Sequence, residues 1–111
     1  MNIEISKEEK LCIVRPAGRI DATTSAEFEK SLSEMVELAP SKLLIDMGNV
    51  TYVASAGLGV LLGVAKKLRN NANQLRLFGL SGLTQEVFEV SGFISVLDIH
   101  PDEASARGEV S

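Results

Sequence analysis

The residues of this chain best placed for chemistry lie in one stretch, Val53-Ala54-Ser55-Ala56-Gly57-Leu58-Gly59-Val60-Leu61-Leu62-Gly63. It passes from an extended segment straight into a helical pattern, and a serine at such a junction has two uses. It can cap the helix, its hydroxyl accepting one of the free first-turn N–H groups. It can also be a hydroxyl held at the positive end of a helix dipole, where a phosphate is favoured. The glycines invite comparison with a dinucleotide loop, but the spacing is G-x-G-x-x-x-G, with Leu62 in the place of the third glycine. No acidic residue follows in LFGLSG to hold a ribose, and no Gly-Lys-Ser/Thr follows to make a P-loop.

Other reactive side chains are scarce. The one cysteine, Cys12, excludes an intramolecular disulfide, and together with the one histidine, His100, it leaves too few soft ligands for a structural zinc site. Cys12 lies in the apolar run LCIV and reads as a core thiol. His100, beside Pro101, reads as a turn residue; a Ser/His/Asp or Cys/His triad would have to use it. No cofactor is implied.

The elements that position Ser55 follow from periodicity. Ile3 and Ile5 alternate with polar neighbours and Leu11-Cys12-Ile13-Val14 is continuously apolar, which predicts two short strands forming a hairpin around SKEEK. Pro16-Ala17-Gly18 is expected to break the second. In TTSAEFEKSLSEMVELAP, Thr24 and Glu27 make a capping box. Phe28, Leu32, Met35, Val36 and Ala39 fall at i, i+4, i+7, i+8 and i+11, and Pro40 ends the helix. KLLIDM is a buried strand, Gly48-Asn49 a turn and VTYV a short extended piece. The helix from Ser55 has Leu58, Leu61, Leu62, Ala65 and Leu68 on one side, with Lys66, Lys67 and Arg69 in its last turn, where cations suit the dipole. QLRLFG is a strand, SGLTQEVFEV a helix with Leu83, Val87 and Val90 inward, and ISVLDI a last strand. Pro101, Asp102 and Glu103 can open a final turn in a polar tail, 101–111.

Helices alternating with apolar strands imply right-handed crossovers and a mostly parallel sheet, with the hairpin adding an antiparallel part. The expectation is a single α/β domain over residues 1–111 with its core at about 3–99. It has a mixed, mostly parallel sheet of about 4–5 strands and a layer of 3–4 helices. At 45% hydrophobic, 23% charged and a formal net charge of -4, the chain is an ordinary globular one. Acidity, with four Phe, one Tyr and no Trp, argues against nucleic acid. No apolar run is long enough to span a bilayer and no signal-peptide core opens the chain, so no membrane insertion and a cytoplasmic location are expected.

Preceded by LLIDMGNVTYV, the segment Ser55-Ala56-Gly57-Leu58-Gly59 closely resembles the phosphorylation-site segment of STAS domains that act as anti-sigma factor antagonists, bacterial anti-anti-sigma factors. Gly18-Arg19-Ile20-Asp21 resembles the family's turn before its first helix, Asp46 matches its strand carboxylate, and the element order agrees over residues 3–99. The resemblance implies a STAS-like fold and a non-enzymatic partner switch. The unmodified domain would bind an anti-sigma factor serine kinase and free the sigma factor for transcription. The kinase would then phosphorylate Ser55, and a metal-dependent Ser/Thr phosphatase would reset it. Asp21 would lie near the partner surface, and Asp46 would be structural. The patch expected to meet the partner is Val53, Ala54, Ser55, Ala56, Gly57 and Leu58, with Val53, Ala54, Ala56 and Leu58 exposed. Gly57 and Gly59 either let a partner's backbone approach or serve the turn and helix packing. One departure stands out: Ala54 replaces the family's Asp before the serine. It keeps a second reading open, a non-switching STAS subunit docked on a transporter ATPase or signalling scaffold. A third, from another class, is a small nucleotide-binding protein.

Overall fold

Alternation at Ile3 and Ile5 and the apolar run from Leu11 produce the antiparallel hairpin that opens the fold, β1 (Asn2–Lys7) and β2 (Leu11–Ile20). The computed structural model describes residues 1–38, 40–70 and 73–108. The break expected at Pro16-Ala17-Gly18 is absent, and β2 runs on through all three residues. What changes there is the neighbour. Leu11 to Val14 pair in parallel with β3 (Lys42–Asp46), whereas Gly18 to Ile20 pair in parallel with β4 (Val50–Val53), with a register shift between Gly18 and Arg19. Pro16, which has no N–H to give a ladder, falls in the interval between the two partners. Gly18 takes φ +97°, a conformation that suits glycine, at the point where the register shifts.

The sheet continues in parallel through β5 (Gln74–Phe78) to β6 (Asp98–His100), giving the order β1-β2-β3-β5-β6 with β4 beside the far half of β2. Six strands thus form, one more than the upper expectation, because VTYV pairs as a true strand. Helices α1 (Ser25–Glu37), α2 (Ser55–Asn70) and α3 (Gly82–Ser91) pack with Cys12, Val14, Leu43, Ile45, Leu75 and Leu77 in the main core. The intervening strand residues point the other way. Leu11, Ile13, Leu44 and Phe78 are covered there by Ala106 of α4 (Glu103–Arg107). The tail expected from 101 therefore contributes a packed helix; its last residues, 109–111, lie outside the described residues, as does Ala39 of the α1 pattern.

Three local expectations are corrected. The capping box fails. Thr24 occupies the N-cap position in helical conformation without a capping bond; its hydroxyl instead accepts from Asp21 N (2.9 Å) and donates to Arg19 O (2.8 Å). Glu27 reaches the N-terminal ammonium. In α3 the inward residues are Thr84 and Phe88, with Val87 half-buried, while Leu83 and Val90 face out. Phe88, fully buried against Phe93, sets this face inward, and the buried Thr84 hydroxyl is satisfied there by donating to Val50 O (3.2 Å). ISVLDI is mostly not a strand, for a 3-10 turn at Phe93–Ser95 follows the left-handed Gly92 and leaves only Asp98–His100 extended.

Candidate functional site

β2 and β4 together build the site. Ile20 pairs with Val53, and Ala54 N donates to Ile20 O (2.8 Å), so the turn from β2 into α1 lies beside the junction between β4 and α2. Asp21 and the Ser55 segment are thereby neighbours, although 34 positions apart.

At that junction Ala54 O accepts from Gly57 N (2.9 Å) and Leu58 N (3.1 Å), which makes Ala54 the residue that starts α2. Its methyl side chain has no oxygen to offer the first turn. Ser55 is already the first helical residue. Its exposed hydroxyl makes no hydrogen bond among the described residues, and neither its N–H nor that of Ala56 is engaged there. The simple capping role weighed for Ser55 is not what the fold uses. The result is a free hydroxyl next to free amides at the positive end of a 16-residue helix with no acidic residue in its first turn.

The expected patch is narrower than its sequence. Val53 and Leu58 are buried at 1% and 8%, anchored by alternation in β4 and by the inward face of α2. Gly57 is buried too, and a Cβ there would stand 2.6 Å from Ile20 Cγ2, so this glycine exists for packing against β2. Ala54, Ser55, Ala56 and Gly59 remain accessible on this face, and a Cβ on Gly59 would have nothing within 4 Å of it.

Asp21 is half-buried and committed to its own turn. Its carboxylate accepts from Thr23 Oγ1 (2.7 Å) and Thr23 N (3.0 Å), and its carbonyl accepts from Thr24 N and Ser25 N. The Thr23 hydroxyl, then the Thr23 amide, hold its carboxyl below the usual range. Asp46 lies elsewhere, on the sheet face under α4, where it accepts from Arg15 Nη1 (2.7 Å) and Gly48 N (2.9 Å). Sequence reasoning assigned no role to Arg19 and Tyr52. Paired across β2 and β4, they place the Arg19 guanidinium 4.7 Å from the Tyr52 ring centroid, next to Asp21. Strand alternation was the available signal, but it required knowing that VTYV pairs with β2.

His100 is not in a turn but in β6, with Nδ1 2.8 Å from Ser105 Oγ and Nε2 2.9 Å from Asp98 Oδ1. These are the members of a hydrolytic triad, yet the amides that would stabilise an oxyanion are spent: Ser105 N donates to Asp102 Oδ1 and Ala106 N to Asp102 O. A cleft of about 380 Å³ lies at the other end of α2, lined by Arg69 and Asn73 among others. No helix among the described residues is long and apolar enough to cross a membrane.

Residues 2–106 match the STAS domain family. The chain belongs to that family. This STAS protein is 32% identical over 99 residues to BtrV of Bordetella bronchiseptica, covering 89% of this chain and 85% of the relative. It is 29% identical over 100 residues to the anti-sigma-B factor antagonist of Staphylococcus aureus, covering 90% and 93%. An anti-sigma factor antagonist from Mycobacterium paratuberculosis shares the fold with a TM-score of 0.87 at 21% identity, over 96% of this chain and 90% of that one. The family match thus spans nearly the whole chain.

Proposed function

We propose that this STAS protein is an anti-sigma factor antagonist whose unphosphorylated form binds an anti-sigma factor serine kinase, and that phosphorylation of Ser55 ends the complex. The observation that carries the reading is the exposed Ser55 hydroxyl at the start of α2, which makes no hydrogen bond among the described residues. A phosphate there would meet the free amides of Ser55 and Ala56 and the positive helix end, an interaction of roughly 0.3–2 kcal/mol, so the modified domain stays folded. It would also add about 1.5–2 negative charges to a small, mostly uncharged face. Desolvating that group in an interface costs more than the helix end returns, and about 2.7 kcal/mol weakens a complex a hundredfold. A metal-dependent Ser/Thr phosphatase would restore binding.

The test is incubation of the purified chain with candidate anti-sigma kinases and ATP, with phosphate located by mass spectrometry and binding measured before and after. Modification confined to Ser55, absent in Ser55→Ala and accompanied by loss of affinity, supports the switch. Phosphate on another residue, or equal affinity in both states, rejects it. Ala54 favours a second reading. With no carboxylate before the serine, the same face would serve as a non-switching dock for a transporter ATPase or signalling scaffold, and this predicts binding with no phosphorylation by any candidate kinase.

A further inference from the structure

The outward side of α3 carries apolar side chains that nothing among the described residues covers. Val90 is 89% exposed and Leu83 56%, and exposure continues past Gly92 in Ile94 (41%) and Val96 (55%). Leu83 and Val90 stand at i and i+7 on one side of the helix, with the half-buried Val87 between them packed against the core, while the inward side is filled by Thr84 and Phe88. Clustered exposure of this kind marks an interaction surface. Its rim is acidic: from Gly79 to Leu97 the charged residues are Glu86 and Glu89.

The complement is found on α2 of the same chain. Gly59, Gly63, Lys66 and Lys67 are exposed and follow at i, i+4, i+7 and i+8, one face of the helix. A Cβ on either glycine would meet nothing within 4 Å, so neither is required by packing inside the fold. Glycine is nonetheless unfavourable in a helix interior, and two on one stripe leave a shallow groove. Lys66 and Lys67 make no salt bridge among the described residues, and the groove therefore ends in free cations.

We propose that the α3 face docks a second copy of this chain, which lays its Gly59/Gly63 face over Leu83 and Val90 and sets Lys66 and Lys67 against Glu86 and Glu89. A symmetric contact between two α3 faces would instead gather four glutamates, a like-charge arrangement that is disfavoured. Because the two surfaces differ, the contact is head-to-tail and grows with concentration. The contact does not rest on Ser55 being a phosphorylation site, but it shares Gly59 with the face that carries Ser55 and so competes with any partner bound there.

Sedimentation velocity on the purified chain across a thousandfold range of concentration tests this, at about 50 mM and about 500 mM salt, where screening differs strongly. Mass should rise with concentration, and more at low salt. Val90→Glu, Gly63→Leu and the pair Lys66→Glu/Lys67→Glu should each weaken association at least tenfold. All these positions are exposed, and unchanged circular dichroism will verify the fold. Combining Lys66→Glu/Lys67→Glu with Glu86→Lys/Glu89→Lys should restore it. A monomer at every concentration overturns the proposal. So does association that Val90→Glu abolishes but Lys66→Glu/Lys67→Glu leaves intact, since that is the symmetric contact.

Discussion

Ser55 and Ala54 exchange the roles their types suggest, for the residue with a capping side chain stands one position too late to cap, and the residue in the capping position has none. Two outcomes follow from the hydrogen bonds. Ser55→Ala should change stability by no more than about 0.5 kcal/mol, the range of surface substitutions, because no bond is lost. Ala54→Asp should stabilise by about 0.5–2 kcal/mol, since a carboxylate there accepts first-turn amides and complements the dipole. Urea denaturation of both variants measures this, and a large loss in Ser55→Ala would show a capping role after all. Kinase assays on Ala54→Asp then separate the two functional readings. Faster phosphorylation fits a kinase that uses an acid beside the serine, and weaker binding fits a partner adapted to a small apolar residue. Gly57 makes a third case. Gly57→Ala should cost about 1–3 kcal/mol through overpacking against Ile20 and Val53, visible as a lower denaturation midpoint.

At the scale of elements, α3 shows one large aromatic side chain, Phe88, outweighing a count of three smaller apolar positions. Periodicity places Leu83, Val87 and Val90 inward, yet the helix sits with Thr84 bonded to Val50 O and Phe88 fully buried, edge-on to Phe93 with ring centroids 6.5 Å apart. Phe88→Ala should therefore cost about 3–5 kcal/mol and Leu83→Ala about 0.5 kcal/mol or less. Thermal denaturation of the two variants distinguishes the faces, and the reverse order would restore the inward placement of Leu83.

Across the whole molecule, α4 is bound to the sheet mainly by polar contacts. Arg15 bridges Asp46 and Glu103, Arg107 bridges Glu103 and Glu8, Lys42 Nζ donates to Arg107 O (2.7 Å), and Arg76 Nη1 donates to Ala106 O (3.0 Å). The hydrogen bond from Arg107 is the largest influence lowering both Glu8 and Glu103, with Arg15 next for Glu103. A carboxylate depressed in the folded state contributes stability that is present above its unfolded pKa and lost as pH falls through its folded one. Stability should accordingly decline from roughly pH 5 downward, and Arg107→Gln should flatten that decline. Denaturation midpoints at a series of pH values check it; parallel curves for the two proteins would show that the network carries no linkage.

Local pattern was enough for the parts of this protein that depend on local chemistry. The hairpin, the three long helices, the mostly parallel sheet and the helix start at Ser55 all follow from apolar periodicity, turn residues and the chain's resemblance to STAS domains. Tertiary structure decided the rest, because those outcomes depend on partners distant in sequence. β2 continues through Pro16 because β3 and β4 pair with it in series. Thr24 serves Arg19 and Asp21 instead of capping α1. Val53, Gly57 and Leu58 left the expected docking face once Ile20 and the main core claimed them. Which residues of the Ser55 segment face solvent is settled by what packs behind them, and a periodic pattern in one segment carries no record of the neighbour it will meet.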